Sequence, residues 1–177
     1  MEEKVVLVDS NDKAIGLMNK QEAHVKGVLH RAFSVFIFNS KNQLLLQQRA
    51  LGKYHSGGMW TNTCCSHPRD KEPVVLAGKR RLVEEMGIHC ELKKVFDFIY
   101  KAKMENNLYE HEFDHVLFGY SDIPPEINKD EVESFTYKSL IDIQNDIKET
   151  PKLYTEWFKI CFKEVVSRNK SINNVGK

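Results

Sequence analysis

Short apolar runs separated by polar turn clusters occupy much of the chain, with two longer stretches in which apolar residues recur at helical spacing. Val5 to Val8 is a β-branched run that ends at Asp9-Ser10-Asn11-Asp12, and Ala14 to Leu17 returns from it, which predicts a hairpin. Phe33 to Phe38, the turn Asn39-Ser40-Lys41-Asn42, and Gln43 to Arg49 predict a second and clearer one. Lys20 to Lys26 is brief and polar, and Lys53 to Pro68 has no sustained period and reads as loop with a short strand at most. Pro73 is expected in the first turn of a helix running to about Met86, with Gly87 as its stop. Glu91 to Tyr100, Leu108 to Tyr120 and Glu131 to Tyr137 read as strands, and Ser139 to Ile147 as a helix. Thr150 and Pro151 are expected to open a last helix with Leu153, Tyr154, Trp157, Phe158, Cys161, Phe162, Val165 and Val166 as one apolar stripe. The pattern fades from Ser167, and a frayed tail is expected over about 168–177. Mixed or antiparallel strands flanked by helices, with no long linker or repeat, make one α+β domain spanning 1–177.

Composition narrows the function classes. A chain of 177 residues can bury about 70% of the surface that its unfolded form exposes, so it needs no disulfide staples. A formal net charge of +1 disfavours nucleic acid as a partner while leaving room for a local cation cluster around one small anion. Four cysteines, two of them adjacent, do not make a disulfide framework. Neither a signal peptide nor a membrane span is legible, so a soluble, cytoplasmic protein with no membrane partner is expected.

One stretch stands apart. Trp60-Thr61-Asn62-Thr63-Cys64-Cys65-Ser66-His67-Pro68 crowds thiols, an imidazole and small polar groups together, and each polar group would need a buried partner if the run were merely core. His24, His30 and His67, with Glu110 and Glu112 two apart on one strand face, form a donor set suited to a borderline divalent ion such as Zn²⁺ or Mn²⁺. The plainer alternative is a solvated polar edge. His55, His89, His111 and His115 read as incidental. Cys65 is the candidate nucleophile or proton carrier, and Cys64, facing the opposite way on an extended segment, reads as packing. Lys20, Arg49, Lys53, Arg80 and Arg81 are candidate phosphate ligands.

Residues 66–88 align with the Nudix box, G-x5-E-x7-R-E-U-x-E-E-x-G-U, in which U is a bulky aliphatic residue. Glu72, Arg80, Leu82, Glu84-Glu85, Gly87 and Ile88 fall in place, Ser66 replaces the first Gly, and Arg81 replaces a Glu. Together with Leu29-His30-Arg31-Ala32-Phe33-Ser34, the Trp60–Pro68 run and Tyr109-Glu110-His111-Glu112, the chain from about Val5 to Val165 resembles the type I isopentenyl diphosphate isomerases of the Nudix superfamily. His55-Ser56-Gly57-Gly58 stands where many members have an aromatic-Pro-Gly turn, and the His24 to His30 interval is one residue shorter than in some.

The resemblance implies a Nudix-like α/β/α sandwich and interconversion of isopentenyl and dimethylallyl diphosphate, a step of isoprenoid biosynthesis in which a double bond moves by protonation and deprotonation through a carbocation. It implies that Cys65 and Glu112 are the acid and base, with Tyr100 bonded to the carboxylate and the Trp157 ring facing the substrate. It places one divalent ion, Mn²⁺, Zn²⁺ or Mg²⁺, among His24, His30, His67, Glu110 and Glu112, and a Mg²⁺ arriving with the diphosphate at Glu85. Lys20, Arg49, Lys53 and Arg81 match the positions that grip the diphosphate. The expected working form is a monomer or weak homodimer. Two rival readings are a Nudix hydrolase, against which Arg81 counts, and a closed structural metal module, whose thiols are usually two to four residues apart rather than adjacent.

Overall fold

The computed structural model describes residues 3–175, and the backbone alone beyond residue 172. Its nine strands join one curled mixed sheet, β1 Lys4–Val8, β2 Ala14–Asn19, β3 His30–Phe38, β4 Leu44–Arg49, β5 Trp60–Thr61, β6 Cys64–Ser66, β7 Leu92–Lys103, β8 Tyr109–Tyr120 and β9 Val132–Lys138. Four α-helices accompany it, α1 Lys20–Lys26, α2 Val74–Met86, α3 Leu140–Glu149 and α4 Glu156–Val175.

The centre of the sheet is the parallel pair β3 and β8, in register from His30 opposite Glu112 to Phe38 opposite Tyr120. Both faces of this pair are covered, and this explains why β3 reads as a continuous apolar run instead of an alternating one. Phe36, Phe38, Val116 and Phe118 pack with Trp157, Phe158, Phe162 and Val165 of α4 and Ile143 of α3. Phe33, Val35, Ile37 and Leu117 pack on the other side with Ala77, Leu82 and Met86 of α2. The α/β/α sandwich follows directly from these two apolar layers.

The predicted β1–β2 hairpin forms, with Val5 opposite Met18 and Val6 opposite Leu17. The second one does not form as expected. Phe38 opposite Leu44 is the only register pair between β3 and β4, after which β4 leaves to pair with β9 and β5. The place of a hairpin partner along β3 is taken by β6 and β8, because tertiary pairing that buries both faces outweighs a local turn.

Other expectations shift in detail. Lys20–Lys26 is a helix, opened by Asn19, whose side chain accepts the Glu22 N–H, and closed by Gly27 at φ 60°. Pro73 stays extended and precedes α2 instead of occupying its first turn. Pro151–Leu153 makes a 3₁₀ turn, so Leu153 is exposed and the stripe starts at Trp157. Tyr154 instead bridges to Trp60, and the Thr155 N–H donates to the Trp60 carbonyl at 3.0 Å. The expected fraying over 168–175 is also corrected: α4 runs to Val175, and Asn169, fully buried, is hydrogen-bonded to Asn42 at 2.9 Å. The last two positions of that expected tail, 176 and 177, lie outside the described residues.

Candidate active site

At the start of the β3/β8 pair the apolar ladder gives way to polar residues that stay buried. His30 sits opposite Glu112, and Glu110, Glu112 and Asp114 share the face on which Val116 and Phe118 pack farther along. Helix α1 lies over this end and brings His24 inward, while the segment leaving β6 brings His67.

His24, His30, His67 and Glu112 each offer an atom within 4.8 Å of those of the others. The His24 Nδ1–H donates to the Lys20 carbonyl at 2.6 Å, and the His30 Nδ1–H to the Val28 carbonyl at 2.8 Å. Their Nε2 atoms face carboxylates, His24 at 3.1 Å from Glu110 and His30 at 3.6 Å from Glu112. Buried His30 Nε2 has no hydrogen-bond partner, and neither has His67 Nδ1. A cation, proton or metal ion, belongs between each ring nitrogen and the carboxylate that it faces, and the donor set fits a divalent ion held by imidazole and carboxylate.

Glu112 also accepts the Tyr100 hydroxyl at 2.6 Å and lies 3.0 Å from His67 Nε2. Burial and the neighbouring Glu110 charge oppose its ionisation, but the His30 and His67 contacts prevail and keep its pKa below the ordinary carboxylate value. Burial holds Tyr100 far above the usual phenol value, so it remains a donor. Burial also pushes Cys65 up to about 12, so it stays a thiol near neutrality, even with the Arg49 charge opposing. His67 is pulled down to about 4, chiefly by burial, and is neutral.

The twin cysteines part as strand alternation requires. Cys64 is buried in the α2-side layer, whereas Cys65 packs on the α4 side and lines the cleft with Phe33, Tyr100, Glu110, Glu112 and Trp157. The Trp157 indole N–H donates to Asn62 Oδ1 at 3.2 Å, which fixes the ring at the cleft wall beneath the Arg49 guanidinium, 5.3 Å from the ring centroid.

Lys20, Arg49, Lys53 and Arg81 line the same cleft, with Glu85. Each of three has a carboxylate partner that the sequence did not reveal, or revealed in another role: Lys20 pairs with Glu3 at 3.1 Å, Lys53 with Glu131, and Arg81 with Glu85 at 2.6 Å and Glu131 at 3.2 Å. Buried Nε atoms of Arg49 and Arg81 have no acceptor, which suits an incoming anion. Arg80 is instead engaged by Glu72 through two bonds of 2.8 and 2.9 Å and does not line this cleft. Glu85 receives Arg81 on one oxygen and the Gln47 amide, at 2.9 Å, on the other. Gln47, Glu131, Asp114 and His55 escaped the sequence reading. His55 in particular is not incidental: it is buried, with Nε2 at 2.8 Å from Glu110 Oε1. Its place in an aperiodic loop left no pattern to mark it.

This fold, with a Glu- and Arg-rich helix α2 at the mouth of a buried mixed sheet, is that of the Nudix class, and the NUDIX domain family matches residues 28–158. Among solved structures it resembles the Deinococcus radiodurans protein DR0079 (TM-score 0.68, 17% identity, 84% of this chain and 90% of that one). It also resembles a MutT protein from Methanosarcina mazei (TM-score 0.67, 17% identity, 80% and 96%). Sequence relatives are nearer. An isopentenyl-diphosphate Delta-isomerase of Pectobacterium atrosepticum is 54% identical over 92% of this chain and 90% of its own length. An isopentenyl-diphosphate Delta-isomerase 2 of Aromatoleum aromaticum is 48% identical over 99% and 93%. The chain belongs to the isopentenyl-diphosphate Delta-isomerase family.

Proposed function

We propose that the cleft isomerises isopentenyl diphosphate to dimethylallyl diphosphate with Cys65 and Glu112 as its acid–base pair. The observation that carries this assignment is the meeting, in one pocket, of a protonated thiol and an ionised carboxylate beside the Trp157 ring. Moving the double bond requires one proton delivered to the terminal carbon and one removed from the methylene on the other side of the central, cationic carbon. A site with one mobile proton shared between two groups meets that stoichiometry. Because the reaction is reversible, each group serves as acid in one direction and as base in the other.

The tertiary cation formed on protonation would be quenched by water, so the wall must be apolar and electron-rich. Trp157 offers its π-face, an interaction of about 0.5–2 kcal/mol, and Phe33 and Tyr100 add further aromatic surface to the cleft. Tyr100 donates to Glu112 Oε2, so Glu112 is fixed in orientation and its proton affinity is set by that bond together with His30 and His67.

His24, His30, His67, Glu110 and Glu112 hold the divalent ion. Mixed imidazole and carboxylate donors favour Mn²⁺ or Zn²⁺ over Mg²⁺. The bound ion supplies fixed positive charge that orients Glu112 and tunes its basicity. Arg49, Lys53, Arg81 and Lys20 take the diphosphate, anchoring a C5 tail too small to position itself. Glu85, whose carboxylate has lone pairs beyond those used by Arg81 and Gln47, would help to hold a Mg²⁺ that accompanies the diphosphate.

Isopentenyl diphosphate in deuterated water, followed by proton NMR with and without chelator, tests the assignment. Wild type should yield dimethylallyl diphosphate carrying deuterium, with both phosphates retained and with loss of turnover on chelation. Cys65→Ala and Glu112→Gln should abolish conversion without loss of fold. Near wild-type turnover by Cys65→Ala would overturn the assignment.

A further inference from the structure

Glu110 faces a different imidazole with each oxygen: Oε2 lies 3.1 Å from His24 Nε2, and Oε1 lies 2.8 Å from His55 Nε2. The contacts of the two rings favour different tautomers. The His24 Nδ1–H donates to the Lys20 carbonyl, which leaves Nε2 as the nitrogen for a metal. His55 Nδ1 has the Ser56 hydroxyl at 3.3 Å, and a proton donated from that hydroxyl leaves Nε2–H pointing at Glu110. The His55 ring is boxed edge-to-face by Tyr54, with centroids 4.4 Å apart, and by Trp157 at 6.0 Å. Its carbonyl accepts from Arg49 at 3.3 Å. The turn that presents it depends on Gly57, where a Cβ would come within 2.6 Å of the Leu51 carbonyl oxygen.

Resting on the metal-site assignment above, the geometry points to His55 as a positioning residue of this chain: its Nε2–H holds the second oxygen of Glu110 so that the first is presented to the ion beside His24. Imidazole and carboxylate exchange their usual places here. Ordinarily a carboxylate steadies a ligating histidine, whereas His55 steadies a ligating carboxylate, and the energetic logic is the same. Because His55 also touches Trp157 and, through its carbonyl, Arg49, one loop ties the ion, the cation-facing wall and the diphosphate grip together.

The test is Co²⁺ binding to the purified full chain, measured by chelator competition and by the visible spectrum of the bound ion. His55→Phe keeps an aromatic ring and removes the donor, and should weaken Co²⁺ binding about 10- to 100-fold, the usual cost of losing such an outer partner. His55→Gln, which can offer an amide N–H, should recover most of that loss. Band positions should match wild type in both variants if His55, which also lies within ligand reach of His24 and Glu110, holds the carboxylate and not the ion. Wild-type affinity in His55→Phe would overturn the proposal, as would equal losses in Phe and Gln variants. A spectrum showing one imidazole fewer would also overturn it, since His55 would then be a ligand. If His55→Phe does not fold, as judged by circular dichroism, His55→Ala carries the same expectations. Should Glu110→Gln and Glu112→Gln bind Co²⁺ as wild type does, the metal-site assignment itself fails and the role of His55 fails with it.

Discussion

Removing the Tyr100 hydroxyl should separate chemistry from binding. In Tyr100→Phe the ring keeps its stack on Phe98, with centroids 5.5 Å apart, and its buried place in the α4-side layer, so the sheet is preserved. What goes is the 2.6 Å O–H···O⁻ bond to Glu112 Oε2. A hydrogen bond to a charged group contributes about 1.5–3 kcal/mol. If all of it is expressed when Glu112 exchanges its proton, at about 1.4 kcal/mol per tenfold in rate, kcat falls roughly 10- to 150-fold. The Michaelis constant should change little, because the cations proposed to grip the diphosphate, Arg49, Lys53 and Arg81, are not bonded to Tyr100. Steady-state kinetics with labelled isopentenyl diphosphate gives both numbers. Wild-type kcat, or a loss confined to the Michaelis constant, would show that the phenol does not act through Glu112.

The adjacent cysteines should answer to different assays. Cys64→Ala leaves a small void in the α2-side core, costing about 1 kcal/mol and lowering Tm by about 2–4 °C, with turnover within twofold of wild type; a large kinetic defect would contradict the packing role. For Cys65 the raised pKa means that the thiolate fraction keeps growing as pH rises. Its alkylation rate, read by peptide mass spectrometry, should therefore climb from about pH 8 to about pH 10 instead of levelling near the ordinary thiol value of ~8.5. A plateau below pH 9 would mean that Arg49 outweighs burial. For Trp157, the Leu variant should lose about 2- to 30-fold in kcat relative to the Phe variant, the rate equivalent of a cation–π contact. Equal rates would remove the ring from the stabilisation of the cation.

Those residues were legible to different degrees. The β1–β2 hairpin, the Nudix-like helix and the apolar stripe of α4 could be read because each follows from local periodicity and punctuation. The β3–β4 hairpin misled, since its turn is real but the strands beyond it find partners from β6, β8 and β9, and sequence spacing carries no record of pairings so distant. The metal-facing set was accessible because His30, Glu110 and Glu112 lie on strands, where spacing fixes direction. His55 was not, because its direction is set by a loop held by Gly57 and Arg49. Glu131 and Glu3 were missed for a further reason: surface acids are common, and only the fold shows that they occupy the cations of the cleft.

The same fold shows how a helix associated with hydrolysis is redirected here. Arg81 stands where the Nudix pattern has a Glu, so a cation paired with Glu84 and Glu85 takes the place of one carboxylate of that helix. The proposed acid–base and metal-binding groups lie instead on the opposite face of the sheet, where the β3–β8 register sets His30 beside Glu112. A slip of one residue would turn Glu110 and Glu112 into the α2 layer and expose the site face to Phe113. That slip is opposed by Val116 and Phe118, which would leave the α4 layer and their packing with Phe36 and Phe38. The apolar core farther along the strands thus fixes the alignment of the acid–base and metal-binding groups at their start, and substitutions in that core that loosen the register should impair turnover before they unfold the protein.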